Sequence, residues 1–344
     1  MKKQNIINLV KYHVEKNEDA FRSEVVEIAK EFDCIGELAI SEYLMDLIST
    51  TNYYVPQTSY KNFQFLKKTV HPNKPLLLPD SLKNDVIGIV RAIDKNMGIN
   101  KILFSGVPGT GKTESVYQIA RLLNRDVLTV DFEELIDSRL GQTAKNISVL
   151  FDEIGRVQSK NVIILFDEID SIVLDRINKN DLREMGRVTS TFLRELDSLN
   201  SDVIIIATTN LIDSFDKALT RRFDSIISFN RYEREDLISI ADSMLISFIK
   251  KAENSKQDIR LFHKILKNAN NIPYPGELLQ IIKTSVAFAD PENEFDYLRK
   301  IYLALNDNTS EISIQALQEQ GYTTREIEVL TKIPKSSVSR KLKG

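Results

Sequence analysis

The sequence predicts an α/β fold built on a parallel sheet, with helical segments before and after it. Three observations carry that reading. The runs Lys101-Ile102-Leu103-Phe104, Val162-Ile163-Ile164-Leu165-Phe166 and Val203-Ile204-Ile205-Ile206-Ala207 are apolar without alternation, as strands buried on both faces are. Helical patterns separate them, for example Glu114 to Leu123 and Val188 to Leu196, and strands alternating with helices imply right-handed crossovers. A glycine-rich loop follows the first run and opens a helix.

In chain order, Phe21, Val25, Ile28, Ala29 and Phe32 recur at helical spacing, with Asn17 or Asp19 as cap. Ile35, Leu38, Leu44, Leu47 and Ile48 form a second such set. From Ser49 to about Pro75 the periodicity fades, which reads as a linker. After about residue 231 the strand signal stops and helical periodicity takes over.

Composition narrows the function classes. The 344 residues carry a formal net charge of −3, which argues against a protein that coats nucleic acid through charge alone. The one cysteine, Cys34, excludes an intrachain disulfide or a cysteine-based zinc site and fits a reducing compartment. No run is long and apolar enough for a membrane span or signal peptide, so the expectation is a soluble, cytoplasmic protein with no membrane contact. His13, His71 and His263 are isolated and carry no functional reading.

The chemistry-bearing loop is Gly106-Val107-Pro108-Gly109-Thr110-Gly111-Lys112-Thr113, with Glu114 opening the helix. Its glycines let backbone N–H groups surround a phosphate, and the helix adds its positive dipole end. Lys112 would reach the β- and γ-phosphates of ATP, and the Thr113 hydroxyl would ligate Mg²⁺. Asp167-Glu168-Ile169-Asp170 follows the second apolar run. Asp167 there would hold the magnesium through a water, and Glu168 would activate the attacking water. Asn210, after the third run, would orient that water or contact the γ-phosphate. In Asp216-Lys217-Ala218-Leu219-Thr220-Arg221-Arg222-Phe223-Asp224, either arginine would serve as a finger on a neighbour's ATP, the alternative being a solvated pair.

With these four elements in this order, residues 75 to 290 resemble an AAA ATPase of the AAA clade proper. The helical segment before a single module is similar to small bacterial stand-alone members, some of which are encoded beside subtilisin-like proteases. The resemblance implies a P-loop α/β nucleotide domain with a helical lid, and a ring, usually of six subunits, with Arg221 and Arg222 acting in trans. It also implies that Asn210 is the first sensor, and that Gly276 lies in the lid's sensor segment, Pro273-Tyr274-Pro275-Gly276-Glu277. Arg139 and Leu140 would lie on the pore loop, with Arg139 where an aromatic is expected, favouring an anionic client. The expected division is 1–50 N-terminal helical domain, 51–74 linker, 75–230 nucleotide domain, 231–308 lid and 309–344 a helix-turn-helix-like segment.

That tail resembles a helix-turn-helix. Thr323 and Glu326 form a capping box, Lys332-Ile333-Pro334 a turn, and the last helix presents Ser336, Ser337, Ser339, Arg340 and Lys341 to duplex DNA. From Gly321 to Gly344 there are six Lys and Arg against two Glu. Packing on the lid or on a partner is the alternative. The functions these observations favour are an ATP-driven remodeller of a protein client or DNA, an ATP-dependent DNA-binding regulator, and a sensor subunit of a partner such as a protease.

Overall fold

The computed structural model describes residues 3–15, 17–34, 37, 40, 63–69, 76–136, 141–157, 159–170, 182–252, 256–306 and 313–342. The chain divides into two compact units, Met1–Gln64 and Phe65–Gly344.

In the first unit, α1 (Lys3–Val14) and α2 (Glu18–Cys34) are paired helices. Of the predicted face, Val25, Ile28 and Ala29 are buried. Asn17 is the cap, its Oδ1 accepting from Ala20 N at 3.2 Å. The second predicted helical set, Ile35, Leu38, Leu44, Leu47 and Ile48, lies outside the described residues.

The second unit opens with β1 (Leu66–Lys68) and α3 (Asp80–Asp94). Of the stretch expected to be a linker, 51–74, only residues 63–69 are described, and these do not run as a free linker. Its sequence has no strand periodicity, but Leu66 to Lys68 pairs antiparallel with Val130 to Leu128, and Phe65 N donates to the buried Glu153 at 3.1 Å. There follow β2 (Lys101–Ser105), α4 (Lys112–Leu122), β3 (Asp126–Val130), the short α5 (Phe132–Leu135), α6 (Gln142–Gly155), β4 (Val162–Phe166), α7 (Leu182–Ser198), β5 (Ile204–Thr209), the short α8 (Lys217–Thr220) and β6 (Ser225–Ser228). The sheet order is β1-β3-β4-β5-β2-β6, with every pair except β1–β3 parallel.

The three apolar runs are β2, β4 and β5, and β5 lies between the other two. Because they are parallel, their carboxyl ends, where the candidate loops begin, lie along one edge of the sheet, as ligand sites of open α/β sheets do. Phe104 packs on Phe229 at 4.9 Å between ring centres, while Phe132, Phe151, Phe166 and Phe192 form a second group of contacting rings. Phe166 and Phe192 are almost fully buried, each contributing about 1.5–3 kcal/mol of apolar burial.

Beyond β6 come α9 (Arg234–Ile249), α10 (Ile259–Asn268), α11 (Pro275–Ala287) and α12 (Asp296–Leu305), the expected lid. Glu233 and Asp236 form a capping box that starts α9. The chain then continues through α13 (Ile314–Glu319), α14 (Thr324–Thr331) and α15 (Lys335–Lys341).

The helix-turn-helix-like segment packs on the lid, the alternative given for it. Ile314, Leu317, Tyr322, Ile327, Leu330 and Val338 are buried in one apolar cluster with lid residues such as Leu261, Leu278 and Tyr297. Lys264 of α10 pairs with Glu326 at 2.7 Å, and Lys332 pairs with the buried Asp296 of α12 at 2.9 Å. Burial alone would raise the Asp296 carboxyl, but its bonds to Lys332 and to Asp290 N hold it below its ordinary value. Glu326 is likewise held down, by Lys264 and the Thr323 N–H against the effect of burial. The helices were legible as helices; their docking depends on partners far away in sequence. Among the described residues no helix is long and apolar enough to cross a membrane.

Candidate active site

The loop after β2 starts at Gly106 and ends at Gly111, the N-cap of α4 with φ +89°. Its path is fixed by groups from beyond β6. Val107 N donates to Asn230 Oδ1 at 2.9 Å, the Tyr232 hydroxyl to Thr110 O at 2.7 Å, and Gly276 N to Gly109 O at 2.8 Å. The last contact requires glycine on both sides. A Cβ on Gly276 would lie 2.7 Å from Gly109 Cα, and one on Gly109 would lie 3.3 Å from Gly276 Cα. Thr110 is buried, its hydroxyl bonded to Val107 O at 2.9 Å, while Pro108 is exposed. Glu114 pairs with Arg121 at 3.4 Å, a contact along its own helix.

Lys112 is only 7% exposed. Its Nζ donates to Gly106 O at 2.7 Å, Val107 O at 2.9 Å and Asn210 Oδ1 at 2.8 Å. Burial pulls the ammonium below its ordinary pKa, and the carboxylates of Asp170, Asp167 and Glu168 oppose that shift. The Thr113 hydroxyl, in the first turn of α4, donates to Asp167 Oδ1 at 2.8 Å. The same carboxylate oxygen accepts from Thr208 Oγ1 at 2.6 Å. Asn210 joins the two sides of the site: its Oδ1 holds Lys112 and its Nδ2 donates to Glu168 Oε1 at 3.3 Å. Thus Lys112, Asn210 and Glu168 form one hydrogen-bonded set and Thr113, Asp167 and Thr208 a second, and Glu168 N joins them by donating to Thr208 Oγ1 at 2.9 Å.

The donors fit magnesium. The Thr113 hydroxyl and the Asp167 carboxylate, 2.8 Å apart, are hard oxygen groups that would hold this ion, the hydroxyl as ligand and the carboxylate through a water. No group of three or more His, Cys, Asp or Glu suited to a metal occurs among the described residues, so an all-protein cage is not the alternative there.

The two arginines differ. Arg222 is bonded within its own chain, to Asp197 at 3.3 Å and to Ala218 O at 2.5 Å. Arg221 is exposed, and its guanidinium has no hydrogen bond or ion pair among the described residues. Asp224 accepts from the backbone N of Asn100 and Lys101 at 2.9 and 2.8 Å, anchoring this segment to the start of β2. Arg139 and Leu140 lie outside the described residues.

Sequence reasoning did not single out Asn230 or Tyr232, and it gave Thr208, two residues before Asn210 in the same element, no role of its own; its position at the end of a buried strand was an available signal. Asn230 and Tyr232 reach the loop across more than a hundred residues, and no local pattern marks them. Burial raises the Tyr232 hydroxyl, keeping it a protonated donor toward Thr110 O.

On α15, Ser336, Arg340 and Lys341 are exposed, Ser337 and Ser339 half-buried, and Val338 buried. Two residues that depart from common helix-turn-helix patterns have structural work. Glu328 accepts from Lys335 N at 3.0 Å and caps α15, while Lys332 closes α14 with φ +60° and pairs with Asp296.

Comparison with known proteins agrees with this geometry. Residues 102–231 match the family described as ATPase family associated with various cellular activities (AAA). An uncharacterised AAA family ATPase of Sinorhizobium fredii is 37% identical over 134 residues, which are 39% of this chain and 40% of that protein. The peroxisomal ATPase PEX6 of Dictyostelium discoideum is 36% identical over 180 residues, 50% of this chain and 14% of that protein. A proteasome-activating nucleotidase of Methanosphaerula palustris is 36% identical over 155 residues, 42% of this chain and 37% of that protein. The chain thus spans less than half the length of these curated relatives.

Among solved structures, a chain of the E. coli MS115-1 HORMA:CdnC:Trip13 complex superposes with TM-score 0.58 at 18% identity, over 71% of this chain and 95% of that one. The FIGL-1 AAA domain superposes with TM-score 0.55 at 16% identity, over 77% of this chain and 96% of that one. At such identities the agreement is one of fold. Residues 102–231 thus match the AAA family model, and the chain shares the α/β fold of solved AAA domains.

Proposed function

We propose that this protein hydrolyses ATP with magnesium and uses the cycle to remodel a macromolecular client. The observation that carries the reading is the Asn210 bridge between Lys112 and Glu168 beside the Thr113–Asp167 pair. Lys112 and the loop's N–H groups hold the β- and γ-phosphates; Thr113 and Asp167 would hold a magnesium ion, which would supply positive charge there. Glu168 takes a proton from water as its oxygen attacks the γ-phosphorus. The bond to the β–γ bridging oxygen breaks, releasing ADP and phosphate. Asn210 fixes Glu168 relative to Lys112.

The exposed Arg221 supports assigning it, rather than the internally bonded Arg222, as the finger that completes a neighbour's site in a ring, six-membered by family resemblance. The test is ATP turnover by the intact protein, by Arg221→Ala, by Arg222→Ala and by mixtures of each with Lys112→Ala. Recovery in the Arg221→Ala mixture supports action across the interface; no recovery at any ratio removes it.

A second reading concerns the client. The cations and hydroxyl of Ser336, Arg340 and Lys341 on α15 favour a duplex DNA contact. Docking of α14 and α15 on the lid makes deletion of residues 309–344 an unsuitable test, because it would uncover the lid core. Replacing Arg340 and Lys341 by Glu in the full chain should instead weaken salt-dependent DNA binding. DNA binding unaffected by that change, or turnover stimulated only by a copurifying protein, would favour the partner-enzyme subunit, a subtilisin-like protease being the analogue.

A further inference from the structure

Asn210 must present its amide to two groups at once, Lys112 Nζ at 2.8 Å and Glu168 Oε1 at 3.3 Å. It is the first residue after β5, so the sheet's ladder does not hold its backbone. The contact that does is a side chain: Asn210 N donates to Asp170 Oδ2 at 3.2 Å. Asp170 is 8% exposed, and its other oxygen, Oδ1, is buried with no hydrogen-bond partner among the described residues. A buried carboxylate with one unsatisfied oxygen carries a desolvation cost that a purely structural contact gives no reason to retain.

The turn that brings Asp170 there is tightly laced to β5. Glu168 has φ +53°, an uncommon conformation for a residue with a side chain. Its N–H donates to Thr208 Oγ1 at 2.9 Å, and Ile169 N donates to Thr208 O at 3.0 Å. The turn therefore offers Glu168 to the Asn210 side chain and Asp170 to the Asn210 backbone, one residue gripped at both ends.

We propose that Asp170 is a positioning residue for the hydrolytic step, holding the Asn210 backbone so that the Asn210 amide spans Lys112 and Glu168. It acts on the hydrolytic step through the Asn210 backbone, beside the attraction of its carboxylate for Lys112. This inference rests on the ATP-hydrolysis reading of the site.

The test is a double-mutant cycle on the full chain, with ATP turnover and MgADP affinity measured for each protein. Asp170→Ala should lower kcat by about 100-fold, the cost of misplacing a catalytic group by about 1 Å. MgADP affinity should stay within about threefold, because the loss falls on the chemical step. Asp170→Asn retains an acceptor for Asn210 N and should recover most of the rate. In an Asn210→Ala background, Asp170→Ala should cost only a fewfold more, from the loss of its charge beside Lys112, since there is no amide left to aim.

Additive losses in the double mutant, an affinity loss equal to the rate loss, or undiminished turnover by Asp170→Ala would each overturn the role. Should Asp170→Ala fail to fold, Asp170→Ser, too short to span the contact, replaces it in the cycle. The unmodified protein separates the two levels of inference. Absence of turnover there overturns the hydrolysis reading together with this role, whereas turnover there with additive losses overturns the role alone.

Discussion

At the carboxyl ends of β2, β4 and β5, polar side chains are bonded to one another: Lys112 to Asn210, Asn210 to Glu168, Thr113 to Asp167. On the far side of the lid, the polar residues of the last helices are bonded instead to neighbouring elements. Glu326 is held by Lys264, Lys332 by Asp296, and Glu328 caps α15. In the first region the charged residues converge on a place where phosphate chemistry fits. In the second they secure helices to a shared apolar core, and only the remaining exposed cations are available to a partner. A motif in sequence does not distinguish these uses; the contacts do.

The comparison breaks most directly at Lys112. Lys112→Ala removes an ammonium from the phosphate site, and charge-assisted bonds of about 1.5–3 kcal/mol each make the expected loss of nucleotide affinity about 1000-fold. A fluorescent-nucleotide titration showing unchanged affinity would detach Lys112 from phosphate binding. At the other region, Leu330→Ala opens the core shared by the lid and the last helices and should cost about 2–5 kcal/mol. Chemical denaturation should show the lid and α13–α15 losing structure together. A separate, earlier transition of the last helices would mean that they are an independent unit.

Where the regions meet, Gly276→Ala places a Cβ 2.7 Å from Gly109 Cα, and backbone cannot yield as a flexible side chain can. The expected cost is about 1–3 kcal/mol, with weakened nucleotide binding. Unaltered stability and affinity would show that the lid does not need this close approach.

The smallest effect is one of pH. The Asp296 and Glu326 carboxyls are held below their ordinary values of 3.8 and 4.5, so the folded state binds their protons less readily than the unfolded chain. Their contribution is complete above those values and is lost as pH falls through and below them. Melting between about pH 5 and about pH 3 should therefore show a steeper decline than in Asp296→Asn, and parallel declines would remove Asp296 from the account.

The sequence was most legible where chemistry constrains residue type locally. The glycines and Lys112, the acids ending one buried run and Asn210 ending another could all be placed on loops of a parallel sheet, because such runs share one direction. It was least legible where a contact joins distant segments. Leu66 to Lys68 has no strand pattern, and its pairing depends on β3. Asn230 and Tyr232 shape the phosphate loop from beyond β6 without a local signature. Glu328 and Lys332 read as departures from a DNA-binding pattern because the groups they meet were unknown.

The central claim, that the three loops form an ATP-hydrolysing centre, is tested most directly by Glu168→Gln. Bound nucleotide and turnover should be measured on the same preparation. The account predicts MgATP binding close to that of the unmodified protein, with turnover lower by about 100-fold or more for loss of the proton acceptor. Equal hydrolysis by the two proteins would contradict it and remove Glu168 from the centre.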